Sequence, residues 1–64
     1  MPATKTLEQR QAELRALLAT LEGREELEAL ATRYYAASGR IRVEGTSLVT
    51  YILVHERERG LIAG

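Results

Sequence analysis

The sequence predicts an all-α protein, a small three-helix bundle, from three observations. Glu, Arg, Ala and Leu dominate the composition, and these residue types favour helices. Apolar residues recur at spacings of three and four over two long stretches, which is the period of an amphipathic helix. Hydroxyl residues precede three stretches and Gly follows two of them, as is typical of helix starts and stops. The predicted helices lie near residues 6–20, 22–38 and 47–59.

The first predicted helix begins at a capping box. Thr6 supplies the N-cap hydroxyl, and Gln9 is spaced to reach back to the backbone N–H of Thr6. Arg10 and Glu13 can pair on the flank at a spacing of three. Residues 1–5 precede the box and are expected to be frayed. The predicted apolar face consists of Leu7, Gln11, Leu14, Leu17, Leu18 and Leu21.

The second predicted helix follows a break within residues 20–24, where Gly23 costs about 1 kcal/mol inside a helix relative to Ala. Two helices that meet at a tight corner are expected, with one bent helix as the alternative. Thr20 is expected to cap this helix, and the glutamates of its first turn suit the positive end of the helix dipole. Arg24 and Glu28 are spaced for a pair, and Gly39 is expected to end the helix. The predicted apolar face consists of Leu27, Leu30, Ala31, Tyr34 and Ser38.

Residues 47–61 carry two competing periodicities. A helix would present one broad apolar face, whereas a strand would be apolar on both faces over residues 48–54. The ends favour the helix, since Ser47 offers a hydroxyl cap and Gly60 with Leu61 fits a Schellman stop. The alternative is an α+β fold, in which two helices are followed by a C-terminal β-hairpin.

Residues 1–64 make a single small domain with a thin margin of stability, because a chain of this size buries only about 60% of its unfolded surface. The chain has no Cys and one His, so neither disulfides nor a metal cluster can support it. Helix packing or self-association must therefore stabilise the fold. The predicted core consists of Leu14, Leu18, Leu27, Leu30, Tyr34, Leu48, Ile52 and Leu53.

Charge and hydropathy argue against several classes of function. The net charge is zero, which disfavours nucleic acid as a partner, since binding to phosphates needs a basic excess. No stretch approaches the length of a membrane span and the N-terminus carries no apolar targeting segment, so we expect a cytoplasmic protein. The glycines are scattered without a phosphate-binding loop, and we expect no cofactor and no small-molecule ligand.

His55 is the single candidate for catalysis or metal binding. A nucleophile and a base must lie within reach of each other, and the neighbours of His55 include no nucleophile. A zinc-binding helix would carry a second His at position 59, which is Arg. We therefore expect no enzyme activity, no catalytic residue and no metal, with His55 partly buried at the border of the third helix.

The expected function is that of a non-catalytic interaction module. The third helix is more apolar than one small core can cover, and surplus apolar surface usually marks a contact site. Val54 lies opposite Leu48 and Ile52 on the third helix, so a monomer would leave it uncovered. The expected partner is a larger protein or a second copy, held in a homodimer through the third helices. The candidate interface residues are Tyr35, Tyr51, Val54, Leu61 and Ile62.

A second hypothesis comes from a resemblance. Residues 27–62 contain LEALA, a turn, and then TSLVTYILVHERERGLI. This order resembles the helix-turn-helix core of winged-helix transcription regulators, without the wing. The resemblance implies a DNA-binding protein whose third helix reads the major groove. In this hypothesis the nucleic-acid contacts come from Arg40, Arg42, Thr46, Ser47, Thr50 and Arg57.

Overall fold

The computed structural model describes residues 4–64 and contains three helices: α1, Leu7–Leu17; α2, Leu21–Ser38; and α3, Leu48–Glu58. The all-α prediction is confirmed. No hairpin forms within the described range, because residues 48–58 are helical and residues 39–43 are irregular. α1 ends three residues before its predicted limit, whereas the other two helices end within about one residue of theirs.

All three predicted N-caps form, which explains where the helices begin. The Thr6 hydroxyl accepts from the Gln9 N–H at 3.1 Å, and the Gln9 side chain accepts from the Thr6 N–H at 3.0 Å. The Ser47 hydroxyl accepts from the Thr50 N–H at 3.1 Å and caps α3. These bonds satisfy backbone donors that have no partner inside a helix.

Glycine ends two of the helices, as the sequence predicts. Gly39 follows α2 with a φ of 71°, in the left-handed region where an L side chain is strained. After α3, the Leu61 N–H donates to the Glu56 carbonyl at 2.9 Å and the Gly60 N–H donates to the Arg57 carbonyl at 3.1 Å. These two bonds form a complete Schellman motif.

The predicted break between the first two helices forms at residues 18–20, slightly before the predicted residues 20–24, and Gly23 lies inside α2. It is the third residue of α2, and the Thr20 hydroxyl accepts from its N–H at 2.9 Å. A Cβ added at Gly23 would lie 2.0 Å from the carbonyl oxygen of Leu17. Gly is therefore needed here because the end of α1 passes directly against the first turn of α2.

The first helix runs opposite to the other two. α1 is antiparallel to both partners, since Arg10 near its start and Tyr34 near the end of α2 both bind Glu56 near the end of α3. α2 and α3 therefore run in the same direction, and the connector of residues 39–47 must return along them. This connector forms one wall of the groove described below.

The core lies where the three helices meet, with Leu14, Leu27 and Ile52 completely buried. Leu53 is also buried, as predicted. Leu18 was wrongly predicted to be internal: it caps the C-terminal end of α1, and the chain turns there, leaving the side chain 46% exposed. The remaining predicted core residues are only partly buried and pack at its edge; they are Leu30, Tyr34 and Leu48.

Candidate interaction surface

A buried carboxylate joins all three helices at one end of the bundle. Glu56 of α3 is 3% exposed. The guanidinium of Arg10 donates to both of its oxygens, with Nε–Oε1 at 2.8 Å and Nη2–Oε2 at 2.9 Å. The Tyr34 hydroxyl of α2 donates to Oε2 at 2.6 Å. This two-pronged geometry is the strongest that an Arg–carboxylate pair adopts.

The network fixes the protonation states of its members. Burial acts to raise the pKa of Glu56, but hydrogen bonds from Arg10 and Tyr34 outweigh it and hold that pKa below the ordinary carboxyl range. Burial and the hydrogen bond to Glu56 raise the pKa of Tyr34 to about 12. Glu56 is thus ionised and Tyr34 protonated at neutral pH, so the Tyr34 hydroxyl donates a hydrogen bond to the Glu56 carboxylate.

His55 is buried rather than at a half-wet border, so that prediction was wrong. Its ring stacks on Tyr34 with the centroids 4.0 Å apart and the planes 13° from parallel. The face of α3 that carries the ring packs against α2, and this contact covers it. Burial lowers the pKa of His55, and the nearby charge of Arg59 lowers it further.

The two chain ends close over the same end of the bundle. The Leu7 N–H donates to the Ala63 carbonyl at 2.7 Å, and the Ala63 N–H donates to the Lys5 carbonyl at 2.9 Å. Lys5 is therefore held in place instead of frayed, while residues 1–3 of the segment predicted to fray lie outside the described residues. Ile62 is buried behind this bridge, which removes it from the candidate interface residues and corrects that prediction. We call this region, residues 5–10 with Tyr34, His55, Glu56 and residues 62–63, the clasped end.

A groove of about 550 Å³ opens between α2, the connector and the N-terminal half of α3. We call it the α2–α3 groove. Glu28 stands on its α2 wall and Arg42 on its connector wall, and Leu48 and Tyr51 supply the side formed by α3. Its other lining residues are Ala31, Thr32, Tyr35 and Ile41.

The connector holds two aliphatic side chains out into water beside this groove. Ile41 is 71% exposed and Val43 is 73% exposed. The backbone around them is braced, because the Thr46 N–H donates to the Val43 carbonyl at 3.0 Å. The Arg42 guanidinium also donates to the Thr46 carbonyl at 3.1 Å. The exposed apolar residues thus sit on a turn with its own hydrogen bonds.

Tyr51 is buried, which corrects its prediction as an exposed interface residue. It lies on the face of α3 that packs inward, next to Ile52. Its hydroxyl donates to the Arg40 carbonyl and so ties the start of the connector to α3. Tyr51 therefore forms the floor of the α2–α3 groove and positions the connector above it.

The outer surface of α3 offers less apolar area than the sequence suggested. Val54 and Leu61 are exposed, as predicted, at 44% and 54%. Tyr51 and Ile62, which would have extended this patch, are both buried. Two single exposed residues are ordinary for a folded surface. Tyr35 is also exposed, but it lies on α2 at the rim of the groove.

The residues of the DNA-binding hypothesis mostly serve local structure. Ser47 and Thr50 bond to each other at the cap of α3, while Thr46 closes the connector turn. Arg40 forms an exposed ion pair with Glu58, and Arg42 binds the connector backbone. Arg57 is exposed on α3. All these contacts are within the chain and give no information about nucleic-acid binding. The helix-turn-helix resemblance therefore stays a prediction.

Two parts of this arrangement were missed from the sequence. A helix in this stretch places Glu56 on the buried side of α3, four residues after Ile52, and a buried charge requires a partner. That spacing could have pointed to a cation such as Arg10. Ile41 and Val43 alternate with Arg40 and Arg42, which is the pattern of a strand in the hairpin alternative. In the irregular connector that alternation defines no buried face, and both apolar side chains are exposed.

No protein family, curated protein or solved structure matches this chain. The class of protein is therefore defined by its fold, a small three-helix bundle. No helix in residues 4–64 is both long and apolar enough to cross a membrane. The same residues contain no cluster of three side chains able to hold a metal ion.

Proposed function

We propose that this protein is a non-catalytic interaction module that docks another polypeptide in the α2–α3 groove. The observation that carries the proposal is the connector, which holds Ile41 and Val43 largely exposed, with Ile41 at the wall of the α2–α3 groove. Apolar side chains this exposed contribute little to the stability of the monomer. Against a partner they would be covered.

Burial supplies the energetic argument. Covering one Ile or Val side chain completely is favourable by about 1.5–3 kcal/mol. Ile41 and Tyr35 are exposed at the groove and Val43 is exposed two residues further along the connector, and Tyr is a residue type enriched at interfaces. Apolar side chains bordered by a few charged groups are a common feature of peptide and protein docking sites.

The clasped end is a poorer candidate for a docking site than the α2–α3 groove. Its polar groups satisfy one another: Arg10 and Tyr34 both donate to Glu56. Within residues 4–64 no buried side-chain nitrogen or oxygen lacks a hydrogen-bond partner. Polar groups that are already paired hold the fold together and leave little for a ligand to bind, so the α2–α3 groove is the better candidate.

Site-specific photo-crosslinking tests the proposal in the cells that make the protein. A photoreactive phenylalanine analogue replaces Tyr35 or Ile41 at the groove, and Glu22 on the first turn of α2 serves as the exposed control. We expect covalent adducts with a polypeptide at the two groove positions and none at Glu22. Equal adducts at all three positions, or none at any, would contradict the proposal.

A further inference from the structure

We infer that the polypeptide which occupies the α2–α3 groove is a second copy of this chain, related by a two-fold axis. This inference rests on the proposed function and names its partner. A two-fold contact uses the same patch on both copies, so the patch must be complementary to itself. Shape and charge both meet that requirement here.

The shape is complementary because one face carries both a projection and a hollow. Val43 and Ile41 are exposed on the connector, and Ile41 also lines the groove. In a two-fold pair, the connector of each copy enters the groove of the other. Both sets of exposed aliphatic side chains are then buried at once, with Tyr35 at the rim and Leu48 below.

The charge is complementary because the two walls of the groove carry opposite signs. Glu28 stands on the α2 wall and Arg42 on the connector wall. Within the described residues neither takes part in an ion pair, so the pair between Arg24 and Glu28 that their spacing suggested does not form. The only hydrogen bond of the Arg42 side chain goes to the Thr46 carbonyl. When a connector enters the partner groove, each Arg42 approaches the Glu28 of the other copy. The net charge of zero adds no repulsion between copies.

A two-fold contact of standard size would take only part of the surface of each copy. A standard interface buries about 800 Å² on each partner. The chain has an accessible surface of 4822 Å², so such a contact would cover roughly one sixth of it. Leu18 adjoins the groove through a second hollow that shares Arg42 and Leu48, and it extends the apolar area of the same face.

Charge exchange across the two-fold axis gives a direct test with the purified chain. Sedimentation equilibrium should show the unmodified chain dimerising as its concentration rises. Glu28→Arg alone and Arg42→Glu alone should each weaken self-association about tenfold or more, because like charges then meet. An equimolar mixture of the two variants should form a mixed dimer, since both contacts across the axis then join opposite charges.

Two controls separate this result from a change in folding. Arg42→Gln removes the bond to the Thr46 carbonyl without reversing charge, and it should weaken association less than Arg42→Glu. Circular dichroism should show the same helix content in every variant.

Failure of the mixture to associate, or a strictly monomeric unmodified chain, would overturn the inference. Crosslinked adducts whose mass exceeds that of two copies would also overturn the inference, because they would show a different polypeptide in the groove. The proposed function would then still hold. Absence of adducts would reject both.

Discussion

The two ends of α3 lie in opposite environments. Around Glu56 the clasped end is closed by a three-helix hydrogen-bond network, a stacked His55 and a bridge between the chain termini. Around Leu48 the fold opens into the α2–α3 groove, with two aliphatic side chains projecting beside it. A small bundle can thus concentrate its specific internal contacts at one end and leave apolar surface at the other for a partner.

Gly23→Ala should have the largest effect, since Gly23 lies where the first turn of α2 passes directly against the end of α1. The new Cβ would meet the Leu17 carbonyl oxygen at 2.0 Å, and backbone must move to admit it. We expect a loss of about 3–5 kcal/mol in the free energy of unfolding, measured by urea denaturation. Gly39→Ala is the matched control, because its φ of 71° is strained but its Cβ meets nothing. It should cost only about 1–2 kcal/mol.

Arg10→Met should have the next largest effect, because it leaves the Glu56 carboxylate buried beside a single remaining donor, Tyr34. Breaking a fully buried pair costs about 3–5 kcal/mol. Arg10 is partly exposed, so we expect a loss at or just below the lower end of that range, again measured by urea denaturation.

The exposed pair between Arg40 and Glu58 supplies the control for that experiment. Arg40→Met should leave the free energy of unfolding nearly unchanged, because exposed pairs are well screened by water. Similar losses for Arg10→Met and Arg40→Met would contradict the view that the clasped end holds the fold together.

Acid should destabilise the clasped end in two steps. His55 has a lowered pKa in the folded state, so the free energy of unfolding should begin to fall as the pH drops below about 6.5. Glu56 also has a lowered folded pKa, and its contribution is lost as the pH falls below the ordinary carboxyl range. Urea denaturation at several pH values measures both steps. His55→Phe keeps an aromatic ring against Tyr34 and should remove only the upper step.

The smallest effect on the free energy of unfolding is expected from substitutions in the connector beside the α2–α3 groove. Ile41→Ser combined with Val43→Ser should change the free energy of unfolding of the monomer by no more than about 0.5 kcal/mol. Both side chains are largely exposed, so the fold loses no buried contact. Thermal denaturation at low protein concentration measures this. A large loss would show that the connector supports the core, and the contrast between the two ends would fail.

Local signals in the sequence were enough to predict the helices. Each helix start and stop depends on hydrogen bonds between residues only a few positions apart, so the spacing of residue types in the sequence is enough to locate it. Examples are the capping hydroxyls of Thr6, Thr20 and Ser47 and the stop at Gly60. Gly23 shows the limit of such signals. The sequence does not distinguish a glycine required by close packing of a neighbouring helix, such as Gly23, from one that ends a helix, such as Gly39.

Long-range contacts could not be predicted in the same way. The partner of Glu56 is 46 positions away at Arg10, and nothing local in the sequence links the two. The burial of Tyr51 and Ile62 likewise depends on how the connector and the C-terminus fold back over the bundle. The α2–α3 groove is built from three separated segments. Of the predicted interface residues, Tyr35 and Tyr51 line it, and Tyr35 is exposed there.

The most direct test of a dimer formed through the α2–α3 groove is to follow the NMR signals of the backbone amides as the concentration of the unmodified chain rises over about a hundredfold range. We predict shifts that cluster on residues 28–35 and 40–48, around the α2–α3 groove, while the signals of Arg10 and Glu56 stay fixed. Shifts that cluster instead on Val54 and Leu61, with the groove signals unchanged, would contradict this prediction.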